Sequence, residues 1–409
     1  MRDVELYRQI LGLPEPWCVA DVKLDLERSR IEVQVTHPEG LRWSCPQCGK
    51  ELAVHDHAPE RTWRHLDTCQ LQTLLRARVP RVECAEHGVL QIMVPWAEAR
   101  SRFTLLMERW IIDVLQQCAT VSGACRLLRL SWDEVFGIME RAVRRGQARK
   151  RPQVLRRLGV DEKAFRKGHS YTTIVSDIER STIEYLADER TRASLEGFYA
   201  SLTPEQRDGI EAVAMDMWEA YLQATNAGVP GASRKIVFDR FHIMQHVGQA
   251  VDAVRKAEHR ALRAEGDDTL TRTKYLWLYS RENLPDARRA QLRALLGQNL
   301  KVARAWAIKE ALRRLWDYRR EAWARRYFAR WFCWATHCRL EPMRQVAHML
   351  KRRLDNILTY CRLRITHAAA EGINSKLMAI KRRACGYRNP AHFKIAAYFY
   401  CGGLDLYPR

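Results

Sequence analysis

The stretch Leu158–Ala187, LGVDEKAFRKGHSYTTIVSDIERSTIEYLA, sets the pattern for the middle of the chain. Leu158-Gly-Val-Asp161-Glu-Lys-Ala-Phe165 reads as a strand with an acid inside it. Tyr171–Ile178 and Thr182–Ala187 are rich in β-branched and aromatic residues and are expected to pair as a hairpin turning near Glu179–Ser181. Downstream, a helix is expected over Thr191–Leu202, then a short apolar strand, Glu211-Ala-Val-Ala-Met-Asp216, that ends in an acid. Trp218–Asn226 reads as a helix, Lys235-Ile-Val-Phe-Asp239 as a strand and His242–Arg260 as a long helix.

Three antiparallel strands followed by helix, strand, helix, strand and helix is the element order of a ribonuclease H-like domain. Residues 261–345 break that rhythm. They are helical, basic and rich in Trp (Trp277, Trp306, Trp316, Trp323, Trp331, Trp334) and read as an all-helical insertion. Aromatics at helical spacing are more often core than a base-stacking platform. A helix over Val346–Leu363 leads to Thr366–Phe393, THAAAEGINSKLMAIKRRACGYRNPAHF. There Ile373, Leu377, Ile380 and Ala384 line one face of a helix that Gly386 stops. Glu371 lies beside Asn374, Ser375 and Met378, and Lys376, Lys381, Arg382 and Arg383 crowd the remaining surface. A solvated basic helix with a dipole-matched N-terminal Glu is the plain explanation. A carboxylate in a basic field equally suits a metal ion facing a phosphate backbone.

Upstream, residues 1–40 are expected to form a short helix, Val4–Leu11, and a hairpin turning near Arg28–Arg30. Cys45-Pro-Gln-Cys48-Gly and Cys84-Ala-Glu-His87-Gly then give two pairs of ligands at the spacing of a zinc knuckle, joined by an alternating segment. Cys45, Cys48, Cys84 and His87 are the expected structural zinc ligands, with His55, His57 and Cys69 as competitors and free thiols as the alternative. Helices are expected over Phe103–Gln117, Ala119–Leu128 and Trp132–Val143, with Ser131 and Glu134 as a capping box. Two short helices around the tight turn Arg129-Leu130-Ser131 suit a helix-turn-helix, for which Arg126, Arg129, Arg141, Arg144 and Arg145 would meet phosphates. An ordinary helical bundle is the alternative. Arg144–Arg157 reads as a basic linker.

With 409 residues and 47 % hydrophobic side chains, the chain has room for several domains and a sizeable core. Its 69 Lys and Arg exceed 48 Asp and Glu, giving +21, which favours a polyanionic partner, nucleic acid before membrane. No apolar run reaches membrane-span length and the first thirty residues carry charges throughout, so a cytosolic protein is expected. Twelve Cys in that setting point to thiols and a metal site, not a disulfide framework.

In a ribonuclease H-like sheet the first and fourth strands are neighbours. Asp161 and Asp216 would then be adjacent, with Glu371 brought by the late helix. Three carboxylates from separate elements can hold two divalent ions for an in-line phosphoryl displacement. Mg²⁺ is the expected ion, since it takes oxygen ligands and keeps replaceable waters. Asp239 rivals Asp216, and Glu162 rivals Asp161, although strand alternation points Glu162 to the other face.

Together CPQCG at 45–49, the helix-turn-helix, GVDEKAFRKGHSYTTIVSDIE at 159–179, the strand ending at Asp216, DRFH at Asp239–His242 and EGINSKLMAIKRRACGYRN at 371–389 resemble the DDE transposases of the ISL-three family of bacterial insertion sequences. The resemblance covers nearly the whole chain. It implies Asp161, Asp216 and Glu371 as the catalytic, metal-holding triad, and a zinc module and helix-turn-helix that bind terminal inverted repeats. Lys163, Arg166, Lys167 and His169 are expected to hold phosphate or flanking DNA, and Lys376, Lys381, Arg382 and Arg383 to steady DNA near the metals. The expected architecture is multidomain, α+β and α/β. Strands and the zinc module occupy 1–100, the helix-turn-helix 101–150, the catalytic domain 151–260, the helical insertion 261–345, and the second catalytic part with a C-terminal helix 346–409. The expected partners are double-stranded terminal-repeat and target DNA and a second copy of the chain, in a bacterial cytoplasm. A zinc-finger regulator without catalysis, or an endonuclease on the same fold that cuts without joining, are the alternatives.

Overall fold

The apolar alternation in the first hundred residues builds two sheets. The computed structural model describes residues 3–118, 120–164, 171–365 and 368–409. Helix α1 (Asp3–Leu11) is followed by strands β1 (Cys18–Asp25), β2 (Arg30–Thr36), β3 (Arg42–Ser44), β4 (Glu51–His57), β5 (Arg61–Arg64), β6 (Gln72–Ala77), β7 (Pro80–Cys84) and β8 (Gly88–Gln91). One sheet has the order β1-β2-β6-β5 and the other β3-β4-β7-β8. In β2 every second residue, Ile31, Val33 and Val35, is buried, as a strand with one covered face requires. These residues join Trp17, Trp63, Leu75 and Trp96 in one apolar cluster.

Helices α2 (Leu105–Gln117), α3 (Val121–Leu128) and α4 (Trp132–Arg149) follow. Each opens on a hydroxyl cap: Thr104 accepts from the Met107 amide, Thr120 from Gly123, and Ser131 from Glu134 in a complete capping box. Arg129 ends α3 in the left-handed conformation. Helix α4 runs six residues beyond the expected Val143, into the stretch read as linker. Gly146, buried within the helix, does not stop it, and the residue preceding Pro152 is driven out of the helical region.

The chain divides into two compact units, Met1–Lys150 with Ile380–Arg409, and Arg151–Ala379. In the second unit come β9 (Arg157–Ala164), β10 (Tyr171–Asp177), β11 (Thr182–Asp188), α5 (Arg192–Ala200), α6 (Pro204–Asp208), β12 (Ala212–Met215), α7 (Glu219–Gly228), β13 (Ile236–Phe238) and α8 (Arg240–Ala264). Their sheet has the order β11-β10-β9-β12-β13. Strands β9, β10 and β11 are antiparallel neighbours, while β12 runs parallel to both β9 and β13. Every residue of β12 and β13 is buried, the apolar run typical of parallel strands covered on both faces.

Helices α9 (Lys274–Leu278), α10 (Asp286–Leu296), α11 (Lys301–Arg313), α12 (Glu321–His337), α13 (Glu341–Arg352) and α14 (Leu354–Leu363) continue this unit. One apolar cluster runs from Leu158, Val160 and Phe238 of the sheet to Trp277, Trp306, Trp331 and Leu350 of these helices. The single helix expected over Val346–Leu363 is broken at Arg353. Its guanidinium is drawn to Glu219 of α7 at 3.0 Å and lies 5.8 Å from the Phe238 ring. Helix α15 (Ala368–Arg383) runs past the division between the units, and α16 (Pro390–Cys401) follows it.

The expected division kept 346–409 together, whereas Ile380–Arg409 falls in the first unit. Ala396, Phe399 and Leu406 share the apolar cluster of α2 and α4, and the Tyr400 hydroxyl donates to the Leu115 carbonyl at 2.9 Å. Among the described residues no helix is long and apolar enough to cross a membrane.

Candidate functional site

The register of the second sheet brings acids together. Ala214 pairs with Gly159 on β9, and Met215 with Phe238 on β13. Continuing both ladders one or two residues puts Asp216, just past the end of β12, opposite Asp161 of β9 and opposite Asp239, just past the end of β13. Asp161 is 8 % exposed. Its Oδ1 accepts from the Glu162 amide at 2.8 Å, its Oδ2 accepts from the Asn374 side-chain amide, and Lys163 Nζ lies 3.7 Å from Oδ2. Asp216 Oδ1 accepts from the Met217 amide at 2.5 Å. His242, one turn into α8, sits between two acids, with Nδ1 3.8 Å from Asp216 and Nε2 3.8 Å from Asp239. Asp239 also caps α8 through the Phe241 amide at 3.0 Å.

Glu162 is partly buried, and Arg190 reaches it at 3.5 Å. Burial first, then the Asp161 and Asp216 charges, push its carboxyl above the ordinary range, against the pull of Arg190 and His242. Arg190 itself is stacked on Tyr171 and Trp218, at 4.3 and 4.6 Å. Glu371 is exposed in the first turn of α15, one turn before Asn374. No three of these acids have ligand atoms within 4.8 Å of one another among the described residues, so the structure brings Asp161 and Asp216 to one level without closing Glu371 onto them. Asn374, His242 and Arg190 carry no role in the sequence reading. The one signal for Asn374 was its place a single turn after Glu371.

A second constellation is closed. Cys45, Cys48, Cys84 and His87 offer ligand atoms all within 4.8 Å of one another. Each pair sits at the tip of a hairpin, β3–β4 or β7–β8. The first tip is held by Cys45 N–H to the Lys50 carbonyl at 2.8 Å and Gly49 N–H to the Cys45 carbonyl at 2.9 Å. Gly49 and Gly88 take positive φ of 74° and 69°, which glycine adopts without strain. The amide of Glu86, then the His87 ring, draw the Cys84 thiol down to about 6, toward the thiolate that metals prefer. The competitors are engaged elsewhere: His55 lies 3.3 Å from Glu83, and His57 stacks on His37 with ring nitrogens 3.0 Å apart. Cys69 is exposed and outside the group.

The basic residues divide into free and engaged. Arg126 and Arg144 are exposed. Arg129 is tied to Asp67 and to the Gln70 carbonyl. Arg141 and Arg145 differ from the phosphate-contact expectation. Both turn onto Glu108, whose side chain is 1 % exposed, and Arg145 also holds Glu98 at 2.7 Å. A buried carboxylate demands such partners. At the start of α4, Trp132 and Asp133 are exposed while Val135 and Phe136 are buried, and Trp132 stacks on Phe136 at 4.6 Å. Lys163 faces Asp161, Lys376, Arg382 and Arg383 are exposed, and Lys381 is partly buried. Phe165, Arg166, Lys167, His169 and Thr366 lie outside the described residues.

A zinc-ribbon tip, a capped helix-turn-helix and an acid-bearing mixed sheet in one basic chain define a DNA-binding transposase, and sequence comparison agrees. A family model described as the zinc-finger of transposase IS204/IS1001/IS1096/IS1165 matches residues 41–87, the helix-turn-helix domain of transposase family ISL3 matches 92–143, and the ISL3 DDE transposase model matches 158–397. The chain belongs to the ISL3 family of DDE transposases. It is 29 % identical over 361 residues to the transposase for insertion sequence element IS1001 of Bordetella parapertussis, covering 87 % of this chain and 88 % of that protein. It is 25 % identical over 419 residues to the transposase for insertion sequence element IS1557 of Mycobacterium tuberculosis (strain ATCC 25618 / H37Rv), covering 95 % and 94 %.

Proposed function

We propose that the unit Arg151–Ala379 is a ribonuclease H-like catalytic domain interrupted by an all-helical insertion, and that it cuts and joins DNA at the carboxylates Asp161, Asp216 and Glu371. What supports this reading is the β12–β9 register, which continued two residues past Ala214–Gly159 would bring Asp216 opposite Asp161, together with the bond from Asn374, one turn after Glu371, to Asp161. These oxygen donors on separate elements fit Mg²⁺. A pair of such ions would supply the positive charge that an in-line phosphoryl displacement needs. Asp161 and Asp216 present anionic oxygens, Asn374 fixes the orientation of the Asp161 carboxylate, and His242 lies 3.8 Å from both Asp216 and Asp239. Water attacks the phosphorus and loses a proton while the P–O bond to the 3′-oxygen breaks and that oxygen takes a proton; the freed 3′-hydroxyl then attacks a phosphorus of target DNA, losing its proton as the P–O bond to the target strand's own 3′-oxygen breaks and that oxygen is protonated.

The first unit binds DNA in this reading. Cys45, Cys48, Cys84 and His87 hold one structural Zn²⁺, which fixes two hairpin tips. Residues 101–150 engage the terminal inverted repeats, with Arg126 and Arg144 on phosphates and the start of α4 toward base edges. Lys163, Lys376, Arg382 and Arg383 meet DNA near the acids. Transposition joins two ends, so the working form is a dimer or larger.

Purified protein, labelled terminal repeats and plasmid in a strand-transfer assay test the reading. Asp161→Ala, Asp216→Ala and Glu371→Ala are each expected to abolish cleavage and joining while repeat binding persists. An active Asp216→Ala beside a dead Asp239→Ala would move the second ligand to Asp239. Cleavage without joining would make the protein an endonuclease.

A further inference from the structure

Helix α12 has two faces of different character. Ala324, Phe328, Trp331 and Ala335 are buried, and the Trp331 indole donates to the Ile308 carbonyl at 2.9 Å. The opposite face carries Trp323, Arg326, Arg330 and Trp334. At 3.6 residues per turn these four fall in a sector of about 80°, along about 16 Å of helix. Trp323 is 52 % exposed and Trp334 46 %, although four of the other Trp of this region, Trp277, Trp306, Trp316 and Trp331, are 7 % exposed or less. The Arg326 guanidinium lies 5.0 Å from the Trp323 ring centre. Among the described residues neither Arg326 nor Arg330 has a carboxylate within ion-pair distance. The nearby acid, Glu321, is bound to Arg325 at 2.8 Å.

We infer that this face is a binding stripe for unpaired DNA, the two indoles stacking on bases and Arg326 and Arg330 meeting the phosphates between them. The inference rests on the cutting and joining reading, which supplies strand ends that can leave the duplex. Two exposed indoles flanking two arginines that have no carboxylate partner among the described residues match the needs of a single strand, whose base faces are open and whose backbone is anionic. A duplex hides its base faces within the stack. A second copy of the chain is the other occupant that Trp and Arg would suit. Charge argues against it: across a two-fold axis the stripe would meet its own Arg326 and Arg330, with Glu321 already paired.

The test uses the full chain, labelled oligothymidylate as an unstructured strand, and a random duplex of equal length. Trp323→Gln/Trp334→Gln is expected to weaken oligothymidylate binding by about tenfold or more per indole while leaving duplex binding unchanged. Arg326→Gln/Arg330→Gln is expected to flatten the single-strand salt slope by about 0.7 per residue. In the unaltered chain, an oligonucleotide carrying 5-iodouracil is expected to crosslink at Trp323 or Trp334. Crosslinks confined to other segments overturn the inference, as does undiminished single-strand affinity in the double Trp variant. Loss of self-association with single-strand binding intact assigns the face to a second copy instead and overturns it too. None of these readouts needs cleavage. A chain inactive in strand transfer would leave the stripe standing, and an active chain without single-strand affinity would remove the stripe alone.

Discussion

Replacing Arg145 with Gln separates an arginine that holds the first unit together from one that meets DNA. The Arg145 side chain is 8 % exposed. Its guanidinium donates to the two Glu98 oxygens at 2.8 and 2.7 Å, to Glu108 Oε2 at 3.0 Å and to the Leu406 carbonyl at 2.5 Å. Glu108 additionally receives the Ser101 hydroxyl at 2.8 Å and the Arg141 guanidinium. Removing one partner of a buried ion pair costs about 3–5 kcal/mol, because the other charge is left uncompensated. Glu108 keeps Arg141 and Ser101, so the expected loss is at the low end, about 3 kcal/mol. For a unit of this size that lowers the midpoint of its thermal transition by about 6–12 °C. Arg144→Gln, one residue away on the exposed side, should change stability by less than about 0.5 kcal/mol. It should instead weaken binding to any duplex and flatten the salt slope by about 0.9. Calorimetry and salt-titrated duplex binding on the same variants provide the assay. An Arg145→Gln protein with unchanged melting and Arg144-like loss of DNA affinity would refute the internal role.

Other consequences can be checked separately. Metal analysis should find one zinc per chain, lost in Cys84→Ser/His87→Ala; full retention there would transfer the site to His55, His57 and Cys69. Burial, then the Arg64 charge, depresses His65 to about 4. A base with a lowered folded-state pKa gives stability that is complete above its ordinary 6.5 and is lost as pH falls toward 4, by about 3 kcal/mol in all. His65→Asn, able to keep the bond to Thr104, should flatten the melting temperature across that window, and an unaltered pH profile would count against the assignment. Asn374→Ala should slow cleavage by about 10- to 100-fold with repeat binding intact, as loss of an orienting partner does at metal sites; a full-rate variant would leave Asn374 without a positioning role.

Much of this architecture is written in local pattern. Strands β9 to β13 fall within a few residues of their expected bounds because alternation, apolar runs and terminal acids are local signals. The Cys and His pairs were legible because a two-residue gap followed by Gly is a turn geometry as well as a ligand spacing. What depends on distant partners was not legible. At the break, Arg353 pairs with Glu219, more than a hundred residues earlier, a contact that local pattern cannot show. The inward turn of Arg145 follows from Glu98 and Glu108, and charge counting cannot tell a guanidinium bound to a buried acid from one facing solvent. The Trp-rich helices were read mainly as core, which holds for Trp277, Trp306, Trp316 and Trp331 but not for Trp323 and Trp334. Spacing fixes which residues share a helix face, and only tertiary packing decides which face is covered. The six residues after Ala164 lie outside the described residues, so the expected roles of Arg166, Lys167 and His169 rest on sequence alone.

The first unit is assembled from stretches that leave the ribosome far apart in time. Residues 151–379 are synthesised between them, and Ala396, Phe399 and Leu406, which share the apolar cluster of α2 and α4, come after those. Domains near the N-terminus ordinarily fold first during synthesis. Here helices α2 to α4 wait, their apolar cluster incomplete, until residues 380–409 have been made. A prematurely terminated chain would therefore be prone to proteolysis or aggregation instead of persisting as a fragment that occupies terminal repeats without cutting them. Translation quality and repeat occupancy become linked through packing alone. Protease digestion of a chain ending at Ala379 beside the whole chain would show this as faster loss of residues 105–149, and equal resistance would break the link.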